Sequence, residues 1–174
     1  MYELLPLDNS SLRREWAEYI EHFATWLSFW TLTFSEADRT HAVTKDECVF
    51  KWRRLVQALN RQLYGNSYTR IVGHCYFSYA LSFEYQTRGA LHMHALVDQP
   101  TNWEAVNGLW RHMAGICKIV PVHDKDKVAK YLCKYVTKGG EVILYRAVKG
   151  YKQPAFKPMW YLEATEKLKA HSAE

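Results

Sequence analysis

Two spacings of apolar residues alternate along the first half of the chain and predict its helices and strands. Apolar positions three or four residues apart predict one amphipathic helix over residues 12–23, capped within residues 9–11. The same spacing predicts a second helix over residues 45–63, stopped by Gly65 and Asn66. Between them, residues 26–34 are aromatic and β-branched, which favours a strand.

The second half of the chain predicts a hairpin and two further helices. Residues 70–85 and 90–97 favour two antiparallel strands, joined by a tight turn at residues 87–89. The remaining elements are a helix over residues 102–114, which Gly115 is expected to end, a strand over 116–122 and a helix over 125–138. Strand, helix, strand, strand, helix, strand and an added helix form the pattern of a ferredoxin-like (RRM-like) α+β fold.

Length and composition narrow the class of protein. The chain has 174 residues, 48% of them hydrophobic, which suits a single domain. We expect a core over about residues 26–140, an N-terminal helix over 9–24 and a C-terminal extension over 141–174. A net charge of +5 with 12 Tyr, 7 Trp and 7 Phe suits nucleic-acid binding and equally an ordinary basic enzyme.

Cysteines and apolar runs indicate the compartment. Cys48, Cys75, Cys117 and Cys133 form no Cys-x-x-Cys pair, so we expect reduced thiols rather than a zinc site or disulfides. No apolar run approaches the ~18 residues of a membrane span, and the N-terminus does not resemble a signal peptide. These patterns predict a cytoplasmic protein without a membrane partner.

A pair of histidines in the second hairpin strand is the first candidate for chemistry. One residue separates His92 from His94, and the period of two in a strand places both imidazoles on one face. Across the turn, Glu84 or Gln86 can supply a third ligand. Two imidazoles and a carboxylate leave positions open on a divalent ion, as a catalytic site needs. The alternative is a salt bridge between Glu84 and Arg88 beside two surface histidines.

The last predicted helix carries the second candidate. One of its faces forms a row of two phenols and three ammonium groups, namely Lys127, Tyr131, Lys134, Tyr135 and Lys138. Adjacent ammonium groups favour the ionised, nucleophilic form of a phenol. The alternative is a basic amphipathic helix whose tyrosines only cover apolar surface.

Three motifs occur in an order that resembles a known family. They are the strand ending Thr31-Leu32-Thr33-Phe34, then Glu84 with His92-Met93-His94, then Tyr131, Lys134 and Tyr135. Together they resemble the HUH endonucleases, which include the rolling-circle replication initiators. The spacing within the last two motifs is similar to the two-tyrosine branch, with the gene A proteins of small single-stranded DNA phages and the Helitron transposases. The resemblance covers about residues 26–140.

The resemblance implies a role for each motif residue. The implied assignments are a metal site of Glu84, His92 and His94 holding Mn²⁺ or Mg²⁺, nucleophiles at Tyr131 and Tyr135, and an assisting Lys134. It also implies a five-stranded antiparallel sheet flanked by helices, with the histidines on central strands and the tyrosine helix lying across them. The implied activity is nicking and joining of single-stranded DNA through a 5′-phosphotyrosine, in rolling-circle replication or transposition.

The expected partners follow from this activity. The substrate is single-stranded DNA at an origin or hairpin, and the candidates for contacts with its backbone are Arg88, Arg111, Lys127 and Lys138. No Walker A motif appears in the sequence, so we expect either a stand-alone nickase that uses a host helicase and polymerase or one domain of a larger protein. We also expect a monomer. The competing hypotheses are a non-catalytic nucleic-acid-binding module on the same scaffold and a metallohydrolase that activates water.

Overall fold

A computed structural model of the chain describes residues 9–35, 43–85, 91–133 and 142–147. The elements in chain order are α1 (Asn9–Phe23), β1 (Ser28–Phe34), α2 (Lys45–Tyr64), α3 (Thr69–Val72), β2 (Tyr79–Tyr85), β3 (Leu91–Val97), α4 (Trp103–Met113), β4 (Gly115–Pro121), α5 (Lys125–Cys133) and β5 (Val142–Tyr145). The strands form one antiparallel sheet in the order β4-β1-β3-β2-β5. The predicted α+β class with a ferredoxin-like core is confirmed, and the described residues contain the five strands of the sheet.

The two faces of the sheet differ in what covers them. On one face, which we call the core face, alternate strand residues such as Leu32 and Met93 pack with Trp52 of α2 and Trp110 of α4 in the larger hydrophobic cluster. On the opposite face, α1 and α5 pack over the apolar ends of the central strands in a smaller cluster that includes Leu132. We call this second face the histidine face, because it carries His92 and His94.

The second helix begins where its sequence predicts and ends one residue later, and both of its ends are capped. Thr44 Oγ1 accepts a hydrogen bond from the backbone N–H of Glu47 at 3.2 Å, which satisfies a free donor of the first turn. Gly65, with φ of 73°, ends the helix and donates its N–H to the Arg61 carbonyl. Seven residues of α2 are buried, so its apolar stripe faces the core.

The prediction of one strand over residues 70–85 is wrong in its first half. Residues 69–72 form the short helix α3, Gly73 has φ of 67°, and β2 starts only at Tyr79. A side chain of α2 holds the segment between them. Asn60 donates from Nδ2 to the His74 carbonyl at 2.8 Å and accepts at Oδ1 from the Tyr76 N–H at 3.2 Å. These backbone groups are therefore satisfied without a neighbouring strand.

Two further boundaries differ from the predictions. Gly115 was expected to end α4, but it is the first residue of β4 and pairs with Phe34, where a Cβ would collide with the Thr33 carbonyl oxygen. Residues 142–145 form β5 beside β2, in a stretch whose pattern predicted no strand. Among the described residues, none of the helices is both long enough and apolar enough to cross a membrane.

Candidate active site

The strand register sorts the histidine face into rows that run across the sheet. One row is apolar, with Val120, Phe29, Leu96, Ala80 and Leu144 in register. All of these residues except the exposed Val120 pack in the smaller cluster with α1 and α5. The next rows are mostly polar, with Lys118, Thr31, His94 and Ser82, followed by Ile116, Thr33, His92 and Glu84. The polar rows begin where the apolar row under the two helices ends, and they contain both histidines of the predicted site.

His94 is held at both ring nitrogens. Its Nε2 lies 2.9 Å from Glu84 Oε2, and its Nδ1 lies 3.3 Å from Thr31 Oγ1. Because a carboxylate only accepts, Nε2–H donates to Glu84, and Nδ1 of the neutral ring accepts from the Thr31 hydroxyl. The imidazole side chain is 4% exposed and the Glu84 side chain 26%, so the pair lies at the edge of solvent. The predicted approach of Glu84 to the histidines across the turn is confirmed.

Burial keeps both imidazoles in their neutral form. Burial lowers the pKa of His94, and the hydrogen bond and charge of Glu84 only partly offset this effect. Burial also lowers the pKa of His92, with a further contribution from His94 and an opposing one from Glu84. A neutral imidazole has a lone pair to offer, and this is the form that binds metal ions.

The predicted metal ligands fit a divalent ion in chemistry but are not arranged as a closed cage. In the parts of the chain that the structure describes, no group of three His, Cys, Asp or Glu side chains is placed to hold an ion. Glu84 and His94 hydrogen-bond to each other, and His92 lies opposite Glu84 in the register. Two imidazoles and a carboxylate suit Mn²⁺ or Mg²⁺, and opening the Glu84–His94 hydrogen bond would free a donor atom on each side chain.

Tyr131 of α5 lies directly against this cluster. Its ring meets the His94 ring edge-on, at 5.5 Å between centroids and 86° between planes, and meets Phe29 at 5.6 Å and 85°. Phe29 in turn stacks on His94 at 5.5 Å and 10°. Tyr131 is 42% exposed, so its phenol can be reached from solvent. The predicted position of the tyrosine helix across the histidine strand is confirmed.

The position of Tyr131 depends on the N-terminal helix. Ala17 and Ile20 of α1 are buried against Ala129 and Leu132 of α5 in the smaller cluster. Trp26, just after α1, belongs to the same cluster, and its Nε1 donates to the Ile20 carbonyl at 2.7 Å. At its start, α5 is capped because Asp124 Oδ1 accepts from the Lys127 N–H at 3.0 Å.

The remaining predicted residues are dispersed or lie outside the described residues. The Lys127 side chain is 83% exposed and pairs with Asp124 at 3.0 Å. Arg111 is exposed in the last turn of α4, which packs on the core face, so it does not join the Tyr131 cluster. The predictions that fall outside the described residues are those for Gln86, Arg88, Lys134, Tyr135 and Lys138.

The contacts of three residues next to the site were not predicted from the sequence. These residues are Thr31, which holds His94, Phe29, which stacks on it, and Ser82, a fully buried residue whose hydroxyl has no hydrogen-bond partner among the described residues. Phe29 and Thr31 alternate along β1, a period of two that assigns them to one face. Only the register shows that this is the face of His94.

The fold and the site together define a ferredoxin-like α+β protein with a histidine–carboxylate cluster on its sheet and a tyrosine packed against it. Residues 27–140 match the Replication-associated protein ORF2 family, and the chain belongs to this family. No curated protein and no solved structure matches the chain. Membership is consistent with the HUH resemblance and indicates a DNA-binding, endonuclease-type enzyme that acts in the initiation of rolling-circle replication.

Proposed function

We propose that the protein is a metal-dependent nickase and strand transferase for single-stranded DNA, which forms a 5′-phosphotyrosine to start rolling-circle replication or a transposition event. The observation that carries the proposal is the packing of the Tyr131 ring against His94, whose Nε2 is bonded to Glu84. Membership in a replication-associated family supports it. A phenol next to two potential metal ligands is the combination that covalent phosphoryl transfer requires.

In the proposed reaction, the Tyr131 phenol gives its proton to solvent and its oxygen attacks the scissile phosphorus. The bond from phosphorus to the 3′-oxygen breaks, and that oxygen leaves as a 3′-hydroxyl after taking up a proton. The 5′-phosphate stays linked to tyrosine, so the energy of the phosphodiester is retained. A 3′-hydroxyl can then attack the phosphotyrosine and rejoin the strand without ATP.

The residues around Tyr131 orient the reactants. Glu84, His92 and His94 would hold a divalent ion, Mn²⁺ or Mg²⁺, which when bound neutralises charge that develops on the phosphate oxygens. Thr31 fixes the rotation of the His94 ring at Nδ1, and Glu84 is hydrogen-bonded to Nε2 as long as no ion takes the place of that hydrogen bond. The stacked Phe29 closes the apolar side of this imidazole.

Tyr135 is proposed as the second nucleophile and Lys134 as an assisting cation. A second phenol on the helix could cut the next strand while the first still holds its product, which suits replication or transposition. Single-stranded DNA is the proposed substrate, because a phenol on an open sheet face reaches an unstacked strand more easily than a duplex. The proposed backbone contacts are those of Arg88, Arg111, Lys127 and Lys138, and a host helicase and polymerase would complete replication.

A covalent adduct assay tests the proposal. The protein is incubated with Mn²⁺ and a labelled library of single-stranded DNA, and denaturing gels show whether labelled DNA stays on the protein. We expect an adduct that maps to Tyr131 or Tyr135 by mass spectrometry. Tyr131→Phe with Tyr135→Phe should abolish it, whereas Tyr19→Phe, at a 56% exposed position on α1, should leave it unchanged. Absence of any adduct, or its survival in the double variant, would contradict the proposal.

One observation favours a second candidate, a binding module without catalysis. The described residues contain no preformed group of three metal-ligating side chains. A binding module should show no Mn²⁺-dependent rise in melting temperature and no loss of DNA affinity in a variant with His92→Ala and His94→Ala. The nickase should show the thermal shift and lose it in that double variant, so one titration separates the two.

A further inference from the structure

A cavity of about 500 Å³ lies on the other side of the sheet from the histidine face, between α2 and the edge strand β5. Its described lining residues are Val49, Trp52, Arg53, Gln57, His74, Tyr79, Ile143, Leu144 and Tyr145. Tyr79, Ile143 and Tyr145 belong to the core face, opposite Ser82 and Glu84 on the alternating strands. The cavity is therefore separate from the candidate active site, and nothing in the proposed cleavage reaction uses it.

A rigid aromatic wall forms one side of the cavity. The rings of Tyr79 and Tyr145 are stacked at 5.3 Å with 22° between planes, and the His74 ring meets Tyr145 edge-on at 4.9 Å. His74 Nε2 lies 3.2 Å from the Tyr79 hydroxyl, and the Tyr145 hydroxyl accepts from the Cys75 N–H at 3.3 Å. Because the rings are held by each other and by the backbone, a flat ligand can pack here without ordering the wall first.

The polar groups that line the cavity favour a ligand with a negatively charged acceptor. Arg53 supplies the charge, and none of the described lining residues is acidic. Arg53 and His74 line the same cavity, and burial together with the charge of Arg53 lowers the pKa of His74, so the imidazole is neutral.

One of the lining residues also carries a buried donor. Trp52 is 1% exposed, and its indole N–H has no hydrogen-bond partner among the described residues. The Tyr79 hydroxyl lies near this N–H, which opposes the rise that burial causes in the pKa of Tyr79, but the two groups do not form a hydrogen bond. A buried donor without a partner is costly unless a ligand or water satisfies it.

We propose that this cavity binds a nucleotide, with the base packed on the wall of Tyr145 and His74 and the phosphate held by Arg53. The volume lies in the range of about 300–1,000 Å³ that is usual for small-molecule sites. Every base offers a flat face that can stack on this aromatic wall. The nucleotide is either free or one unit of a bound DNA strand, and both carry the same base and phosphate.

A titration followed by nuclear magnetic resonance tests this site. The indole N–H signals of ¹⁵N-labelled protein are recorded as each of the four deoxynucleoside 5′-monophosphates is added, and Trp52→Phe identifies the Trp52 signal. We expect the Trp52 signal to shift in a saturable way with at least one nucleotide. No shift with any nucleotide or oligonucleotide would overturn the proposal. The titration contains a chelator, so its failure would leave the adduct assay, and with it the proposed cleavage, unaffected.

Two adjacent arginines give a matched pair of variants. Arg53 lines the cavity, whereas Arg54, also exposed, lies over the Phe50 ring at 5.9 Å and is not a lining residue. Arg53→Gln should raise the nucleotide Kd about tenfold, the effect of one charge-assisted hydrogen bond to phosphate. Arg54→Gln should change it by less than about twofold, as expected for a distant exposed charge. Equal effects of the two variants would overturn the assignment of Arg53.

Two further titrations define the chemistry of the ligand. A deoxynucleoside without phosphate should bind about tenfold more weakly than its monophosphate, and equal binding would overturn the phosphate assignment. A short single-stranded oligonucleotide distinguishes the two sources. A shift of the Trp52 signal with the oligonucleotide supports a nucleotide within a DNA strand, and a shift with the mononucleotide alone supports a free nucleotide.

Discussion

The core face and the histidine face of the sheet are built from the same strands, and they differ in what their alternate residues contact. On β1, Leu32 is fully buried in the large cluster under α2 and α4, whereas its neighbour Thr31 holds His94 on the other side. On β2, Phe83 packs into the same large cluster and Glu84 bonds His94. One face therefore stabilises the fold through burial, while the other holds polar groups in fixed positions.

Each face nevertheless carries a buried polar group without a hydrogen-bond partner among the described residues, the Ser82 hydroxyl on the histidine face and the Trp52 indole N–H on the core face. His94 lies beside the fully buried Ser82 and is bonded at both ring nitrogens. A buried polar group without a partner costs about 1–3 kcal/mol of stability. Such a cost is tolerated where a site serves a ligand, and the core face contributes the burial that offsets it.

The largest loss of stability should follow from a substitution on the core face. Leu32→Ala removes a fully buried side chain and should lower the free energy of unfolding by about 2–5 kcal/mol. Thr33→Val, at the next residue on the histidine face, should change it by less than about 0.5 kcal/mol. Urea denaturation of both variants measures the difference. A loss for Thr33→Val as large as that for Leu32→Ala would show that the two faces are not divided in this way.

An intermediate loss of stability is expected when the hydroxyl that contacts the His94 ring is removed. Thr31→Val keeps the shape of the side chain but removes the 3.3 Å contact with Nδ1, so stability should fall by about 1 kcal/mol. If His94 binds a metal ion, loss of the group that fixes its ring should weaken Mn²⁺ binding about tenfold or more. Calorimetric titration measures the affinity, and ¹⁵N shifts of the His94 ring report its tautomer.

Thr33→Val is again the matched control for that experiment, because Thr33 lies on the same strand and face, opposite His92. It should leave the tautomer of His94 unchanged. If both valine variants altered Mn²⁺ affinity and the His94 ring shifts equally, Thr31 would have no specific part in positioning the imidazole.

The smallest effect on stability is expected at the end of β3 that is remote from the histidines. Burial raises the pKa of Asp98, against the hydrogen bond that its Oδ1 accepts from the Ser78 N–H at 2.7 Å. A raised pKa in the folded state means that the proton is held more tightly there than in the unfolded chain. The contribution of this group to stability is therefore fully present below its unfolded pKa and is lost as pH rises through the folded value.

Asp98→Asn keeps an acceptor for Ser78 and removes this titration. We expect the stability of the wild type relative to the variant to fall as pH rises from the unfolded pKa of 3.8 through the raised folded value. Thermal denaturation of both proteins over this range measures it. A relative stability that stays constant or rises with pH would contradict the sign.

Much of the fold could be predicted from local sequence patterns. The predictions that failed did so because of contacts between segments that are distant in sequence. The bounds of α2 followed from a periodic apolar stripe between Thr44 and Gly65, because both caps are local. The strand predicted over residues 70–85 failed because Asn60, on another element, binds the backbone at His74 and Tyr76. No pattern within that segment could show this partner.

About as much of the candidate site as of the fold could be predicted from the sequence. His92, His94, Glu84 and Tyr131 were identified from spacing and resemblance, and the structure brings Glu84, His94 and Tyr131 into contact. The contact of Thr31 with His94 was not predicted, because the two residues are 63 positions apart. The cavity between α2 and β5 was not predicted either, since β5 itself was not.

The sequence by itself determined which faces its elements have, because the periods of two and 3.6 are properties of the chain and of local backbone geometry. It placed both histidines on one side of a strand and Tyr131 on a helix. Only the tertiary structure decided which faces meet. The register of β1 against β3 puts Thr31 opposite His94, and the packing of α1 on α5 lays Tyr131 over that pair. Both depend on burial and hydrogen bonding between segments distant in sequence, which no local pattern encodes.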